Sequence, residues 1–316
     1  MTTWSRILCA VDFSDGSRGA LRCAAILAEK YESLLTVATI DDPLLASIDI
    51  ARASPRLPDD TRQSLRRLVE QTLGDRLAAM RIDYVVGVGR PAEELLKLAR
   101  EPRVDLIVMS THGLTGIRKL FFGSTTERVL RESDIPVLVT GSAMHGARSW
   151  EDVAAEVNRV LVPVDLLPGT DTNVQDALRV SDALGVPALI THVIEPTRLP
   201  FARRQDGLHV DAERRARADQ AIEAIVRSAS ATRQAEGLVA YGDPAEEIAK
   251  IARDRHAGLI VMGLRATGAP HGRMGSVTYR VLCVSHTAVL ALPPPPRAAT
   301  QIKRPSASVV RVPAPA

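Results

Sequence analysis

Apolar and polar positions change period along the chain in a regular rhythm. Arg6–Val11 is a short apolar run of strand length. From Ser14 to Lys30, Leu21, Ala24, Ala25 and Ala28 fall on one helical stripe, with Ser14, Asp15 and Ser17 as candidate caps. Leu34–Ile40 predicts a second strand. A polar, proline-containing stretch over 43–58 then leads into a charged helix that runs to about Met80. Ile82–Val86 predicts a third strand, and Pro91–Arg100 a helix opened by proline near its first turn. Leu106–Met109 is the fourth strand, Ser124–Arg131 a helix and Pro136–Val139 the last strand. The order βαβαβαβαβ predicts a parallel sheet with helices on both faces.

The same order is written twice. "GRPAEELLKLAR" at 89–100 and "GDPAEEIAKIAR" at 242–253 share eight of twelve positions at an offset of 153. That offset also carries Asp12 onto Asp165 and "DLIVMS" onto "GLIVMG". "FFGSTTERVL" answers to "RMGSVTYRVL" at an offset of 152, so the second copy has lost one residue in the preceding loop. "IPVLVT" and "TAVLAL" close the copies. Independent matches in one order indicate duplication of a whole domain. The fold class is therefore α/β, two tandem doubly wound five-stranded parallel sheets with helices on both faces. The expected domains are residues 1–144 and 157–293, with a linker near Met144–Glu156. A proline-rich basic tail over 294–316 has no core-forming pattern and is expected to be disordered. The last strand of each copy is an apolar edge, and such edges are usually covered. Pairing them within the chain would give a pseudo-dimer.

Composition narrows the class. Hydrophobic residues make up 46% and aromatics only 3%, so the core is aliphatic, as buried parallel strands require. The net charge of +3 is local: the tail holds Arg297, Lys303, Arg304 and Arg311 and no acid. The remaining body is close to neutral, which argues against a nucleic-acid partner. Cys9, Cys23 and Cys283 lie far from any metal-ligand spacing and read as buried free thiols of a reducing compartment. No run reaches the ~20 apolar residues of a membrane span, and the short apolar N-terminal stretch is no signal peptide. A cytoplasmic protein without membrane partners is expected.

One stretch carries candidate chemistry. "THGLTGIRKLFFGST", residues 111–125, leaves strand four and enters a helix. In doubly wound sheets, ligands bind beyond the carboxyl ends of the strands. Asp12, Thr39-Ile40-Asp41 and this loop all arrive at that edge. Gly113, Gly116 and Gly123 would let backbone approach a ligand and adopt positive φ. Gly123-Ser124-Thr125 opens a helix whose free N–H groups favour an anion, and Arg118 and Lys119 add positive charge. Asp12 suits hydroxyl or amino donors rather than phosphate. Together these parts point to a nucleotide, although a tight turn followed by an ordinary N-cap would use the same residues. There is no GxxxxGK[ST] phosphate loop and no SGGxDS stretch. His112 has no partner assigned by spacing. Glu93-Glu94 and Glu246-Glu247 sit in first helical turns, where they complement the dipole.

At this point the chain resembles the universal stress proteins of the UspA type, in a tandem form. The likeness covers residues 4–141 and 158–292. That family carries Gly-x2-Gly-x9-Gly-Ser/Thr after strand four and an Asp after strand one. Here Gly113 and Gly123 have the family's spacing, and Ser110 replaces the first glycine. The resemblance implies an ATP site. Ala10, Asp12 and Ile40 would lie on the adenine and ribose side, and Met109, Ser110 and Gly113 on the sugar and phosphate side. Gly123, Ser124 and Thr125 would hold the phosphates, with or without magnesium. In the second copy Pro163, Asp165, Val193, Met262, Gly263, Gly275, Ser276 and Val277 match, but Ala266 replaces a glycine and Pro270 stiffens a loop one residue shorter. The implied function is a regulatory, ATP-binding stress-response protein, alone or as a homodimer, acting on a protein partner. A nucleotide-free scaffold and a slow ATPase are the alternatives. No catalytic residue and no metal ligand is assigned.

Overall fold

The computed structural model describes residues 4–42, 58–100, 103–110, 123–141, 146, 148–167, 170–196, 204–230, 234–264 and 274–293. The first half runs β1 (Arg6–Ala10), α1 (Asp15–Tyr31), β2 (Leu34–Asp41), α2 (Pro58–Leu73), a 3-10 turn (Gly74–Ala79), β3 (Arg81–Val88), α3 (Pro91–Arg100), β4 (Leu106–Ser110), α4 (Ser124–Glu132) and β5 (Val137–Thr140). A short helix, α5 (Trp150–Glu156), follows. The second half repeats the order: β6 (Val160–Pro163), α6 (Thr170–Leu184), β7 (Ala188–Ile194), α7 (Arg204–Ser230), β8 (Ala235–Tyr241), α8 (Pro244–Asp254), β9 (Leu259–Gly263), α9 (Ser276–Val284) and β10 (Ala288–Leu292).

Local chemistry explains the boundaries. Ser14 caps α1 by accepting from Ser17 N at 3.1 Å, and Glu32, with φ of 53°, ends the helix in the left-handed region. Asp243 caps α8 through two backbone N–H groups at 3.2 Å, just before Pro244. The charged helix expected to reach Met80 stops earlier, at Leu73, and passes into the 3-10 turn. The backbone repeats with the sequence. Positive φ recurs at Phe13 and Leu166, at Arg103 and His256, and at Gly89 and Gly242.

The ten strands among the described residues form one sheet in the order β3-β2-β1-β4-β5-β10-β9-β6-β7-β8. Within each half the strands are parallel, and the halves join through an antiparallel pairing of β5 with β10. The expected edge pairing thus occurs inside one chain, and the two half-sheets run in opposite directions. Alternate residues face opposite sides. Ile7 and Cys9 of β1 join one buried cluster with α1, α2, α6 and α7, whereas Leu8 joins the other with α3, α4, α8 and α9. Both clusters draw on both halves, so the core continues across the seam. Gly141 follows β5 where a Cβ would lie 2.0 Å from the carbonyl oxygen of His286, so glycine is required for this close approach.

The segment expected as a linker is partly structured. Ser149 and Asp152 form a capping box at the start of α5. Trp150 then meets Tyr31 edge-on at 6.4 Å, Tyr31 meets Trp4 at 5.3 Å, and Lys30 stands 5.0 Å over the Trp150 ring. Cys9 and Cys23 are buried thiols, as expected, but Cys283 is only partly covered. Burial pushes the Cys23 thiol up to about 12 and Cys9 higher still. No described helix is long and apolar enough to cross a membrane.

Candidate functional site

Strand order reverses between β1 and β4 in the first half and between β6 and β9 in the second. At these points the helices following adjacent strands leave on opposite faces and open a crevice at the carboxyl edge. In the second half the crevice is a cavity of about 490 Å³. Its walls come from the ends of β6, β7 and β9 and from the starts of α6, α8 and α9, with α7 closing one side. Pro163, Asp165, Val193, Met262, Gly263, Gly275, Ser276 and Val277 all line it. The eight positions picked from the second copy are therefore brought together. The size suits a drug-sized ligand.

Part of the lining is apolar, with Val193, Ile248 and Met262. Other lining residues are polar. Asp165 Oδ1 accepts from Thr170 Oγ1 at 2.7 Å and from Leu167 N at 3.1 Å. Asp12 makes the equivalent turn, accepting at Oδ1 from Ser14 Oγ at 2.6 Å and Ser14 N at 3.1 Å. In both halves the next residue, Phe13 or Leu166, is held at positive φ of 66° or 56°. Bulky residues avoid this region, at a cost of roughly 1–3 kcal/mol. The same strain at both sites fixes where each carboxylate stands. Leu167 occupies the place of Ser14 and has no hydroxyl, and Thr170 donates one to the carboxylate instead.

The start of α9 supplies backbone donors. Gly275 is its N-cap with no side-chain cap, as Gly123 is for α4, so the first N–H groups meet no capping side chain. Both glycines are extended, with φ of −56° and −61°. The positive φ expected at Gly123 is not found. The φ itself does not require glycine there, since L-residues adopt it freely. Thr278 Oγ1 donates to Gly263 O at 2.9 Å, and Thr126 Oγ1 to Ser110 O at 3.1 Å. These bonds tie the helix start to the end of the preceding strand.

In the first half Ala10, Asp12, Ile40, Met109, Ser110, Gly123, Ser124 and Thr125 sit at the matching strand ends and helix start. Ser110 replaces glycine without altering this frame, because its carbonyl accepts from Thr126 as that of Gly263 does from Thr278. Gly113, Gly116, His112, Arg118, Lys119, Ala266 and Pro270, like the tail, lie outside the described residues. Among the described residues no group of His, Cys, Asp and Glu could hold a metal ion.

The family model for the universal stress protein family matches residues 3–141 and 156–293. The chain belongs to the universal stress protein family, with its domain present twice. A universal stress protein of Methanocaldococcus jannaschii is 26% identical over 155 residues, covering 43% of this chain and 94% of its own. One from Thermus aquaticus is 32% identical over 136 residues, covering 42% and 96%. The solved structure of a universal stress protein from Archaeoglobus fulgidus covers 93% of this chain and 99% of its own, with a TM-score of 0.62 at 19% identity, and so shares the fold.

Within this universal stress protein, sequence reasoning missed several wall residues. Thr170, Asn173, Glu195 and Arg214 line the cavity from α6, α7 and the end of β7. Thr126 and Thr278 had a readable signal, since the threonine recurs in "GSTTERVL" and "GSVTYRVL". Arg128 and Arg280 also recur and tie these helices to their neighbours. Arg128 Nη2 lies 2.8 Å from Glu93, and Arg280 Nη1 lies 2.6 Å from Asp243. Each arginine holds its partner carboxyl below the usual range by hydrogen bonding.

Proposed function

We propose that this stress-response protein is a cytoplasmic regulatory nucleotide binder. It takes ATP, with or without magnesium, at the carboxyl edge of its first half-sheet, and a nucleotide in the related cavity of the second. The observation that carries this reading is the cavity of about 490 Å³, which Asp165, the uncapped start of α9 and the apolar Val193, Ile248 and Met262 line together. Each part has a chemical counterpart in a nucleotide. Helix N–H groups suit phosphate, the carboxylate suits ribose hydroxyls, and Val193, Ile248 and Met262 suit the face of a base. The first half has the same frame at Asp12, Ile40, Met109 and Gly123–Thr125. Binding then acts on the joined sheet and on a protein partner.

The test is direct. The purified full chain is denatured and the released small molecules are identified by mass spectrometry, followed by calorimetric titration with ATP. Bound or titratable ATP is expected. Release of no nucleotide together with no heat on titration leaves a scaffold instead, and steady ADP production makes the protein an ATPase.

A further inference from the structure

The two halves differ sharply at one corner of the site. Asp41 and Ile194 are equivalent: each ends the second strand of its half, and each carbonyl accepts from a glycine N–H, that of Gly89 at 3.0 Å and that of Gly242 at 3.1 Å. Equally far along each copy stand Thr61 in α2 and Arg214 in α7, and the buried stripes that follow, Leu65 with Val69 and Ala218 with Ile222, stay in step. In the first half the corner is an acid and a hydroxyl, with Thr61 Oγ1 donating to Asp41 Oδ2 at 3.1 Å. In the second, Ile194 replaces Asp41 and Arg214 replaces Thr61, and the acids that remain at this corner are Asp211, paired with Arg214, and Glu195. Arg214 Nη1 donates to Glu195 O at 2.9 Å and to Asp211 Oδ1 at 3.3 Å, and Asp211 is itself braced by Tyr241 Oη, which donates to its carbonyl at 2.9 Å. Arg214 and Glu195 both line the cavity.

Position makes this exchange matter. β9, β6 and β7 are successive neighbours, so the end of β7 lies two strand spacings, roughly 10 Å, from the end of β9. Arg214 therefore stands across the cavity from the start of α9. A nucleotide with its phosphates at Ser276 would bring its base to this corner. A carboxylate there, as in the first half, accepts from an exocyclic amino group, which adenine carries beside N7. A guanidinium offers only donors. Against adenine it would set N–H groups toward an amino group, whereas O6 and N7 of guanine are adjacent acceptors that fit its fork.

We infer that the second half binds a guanine nucleotide read by Arg214, while the first half keeps adenine. The inference rests on the nucleotide reading above. The full chain is photolabelled separately with azido-ATP and azido-GTP, and the labelled peptides are mapped. Azido-GTP should mark the second half and azido-ATP the first. Arg214→Thr, which copies Thr61, should lower GTP affinity on the order of tenfold in calorimetry, with first-half labelling and thermal melting unchanged. Arg214→Lys keeps the charge but loses the fork, so it should also lose the preference for GTP. Equal labelling of the second half by both probes, or undiminished GTP binding in both variants, overturns the inference and leaves nucleotide binding standing. Absence of labelling by either probe removes the nucleotide reading and this inference together.

Discussion

Leu138 and Leu290, which hold the same place in the two copies, stand opposite one another across the antiparallel seam. Both are buried, at 5% and 1% exposure. The pseudo-twofold axis passes between them. Truncating Leu290 to alanine should therefore cost about 2–5 kcal/mol. Leu138→Pro should do more, because it removes a ladder donor from a central strand, and the halves should part or aggregate. Melting curves and hydrodynamic radius check both. An unchanged radius and melt in Leu138→Pro would show that the seam contributes little.

Gly123→Val should abolish ATP binding in the first half and leave the fold intact. With φ at −56° the backbone accepts valine. The poorer N-cap should cost about 1 kcal/mol. The ligand would lose close approach to several N–H groups, each worth about 1.5–3 kcal/mol to a charged partner. Gly275→Val is the matched variant in the second half. Calorimetry on a folded Gly123→Val protein that bound ATP normally would reduce the loop to a turn.

Thr126→Val keeps the shape of the side chain and deletes the bond to Ser110 O. Loss of this bond should cost about 0.5–1.5 kcal/mol, and nucleotide affinity in that half should fall because the helix start is no longer tied to β4. Chemical denaturation and titration of Thr126→Val and Thr278→Val, read together, separate the two effects.

The buried thiols set an alkaline limit. The folded pKa of Cys23 is raised to about 12, against about 8.5 for a free thiol. Protonated thiol is thus the form the fold favours. Its contribution is complete below about pH 8.5 and is lost progressively as pH rises toward 12. Thermal melts should fall across that window, less steeply in Cys23→Ala. At pH near 8, iodoacetamide should alkylate the partly covered Cys283 well before Cys9 or Cys23, as peptide mass spectrometry can read.

Trp150→Ala should release α5 from α1. The ring contact with Tyr31 and the overlying Lys30 together are worth about 1–2 kcal/mol. Hydrogen exchange of the Val153 amide should quicken, while exchange in β6 stays slow.

Much of this was legible in the chain itself. Duplication, strand order and the pairing of the last strands follow from apolar runs and a constant offset, because parallel strands buried on both faces leave a strong one-dimensional trace. The carboxyl edge was legible for the same reason: Asp12 and Asp165 each end an apolar run. Other features leave no such trace. The docking of α5 depends on Trp150 meeting Tyr31, residues far apart in sequence. Glycine at 123 signals permissiveness and not the φ adopted, so the positive φ read from it was wrong. Arg214 lies in "ERRARAD", a charged run with nothing to mark it out from a solvated helix face, and only the packing of α7 over β7 brings it to the cavity.

Closing the seam within one chain also removes an obligation. In a dimer of identical subunits every substitution appears twice, once on each side of the axis. Here Val137 faces Ala291 while Val139 faces Val289, so the pairs flanking Leu138 and Leu290 already differ in bulk. One gene thus encodes two twins that can mutate separately. An isoleucine at 194 needs no counterpart at Asp41, so one half can change a corner that its twin keeps.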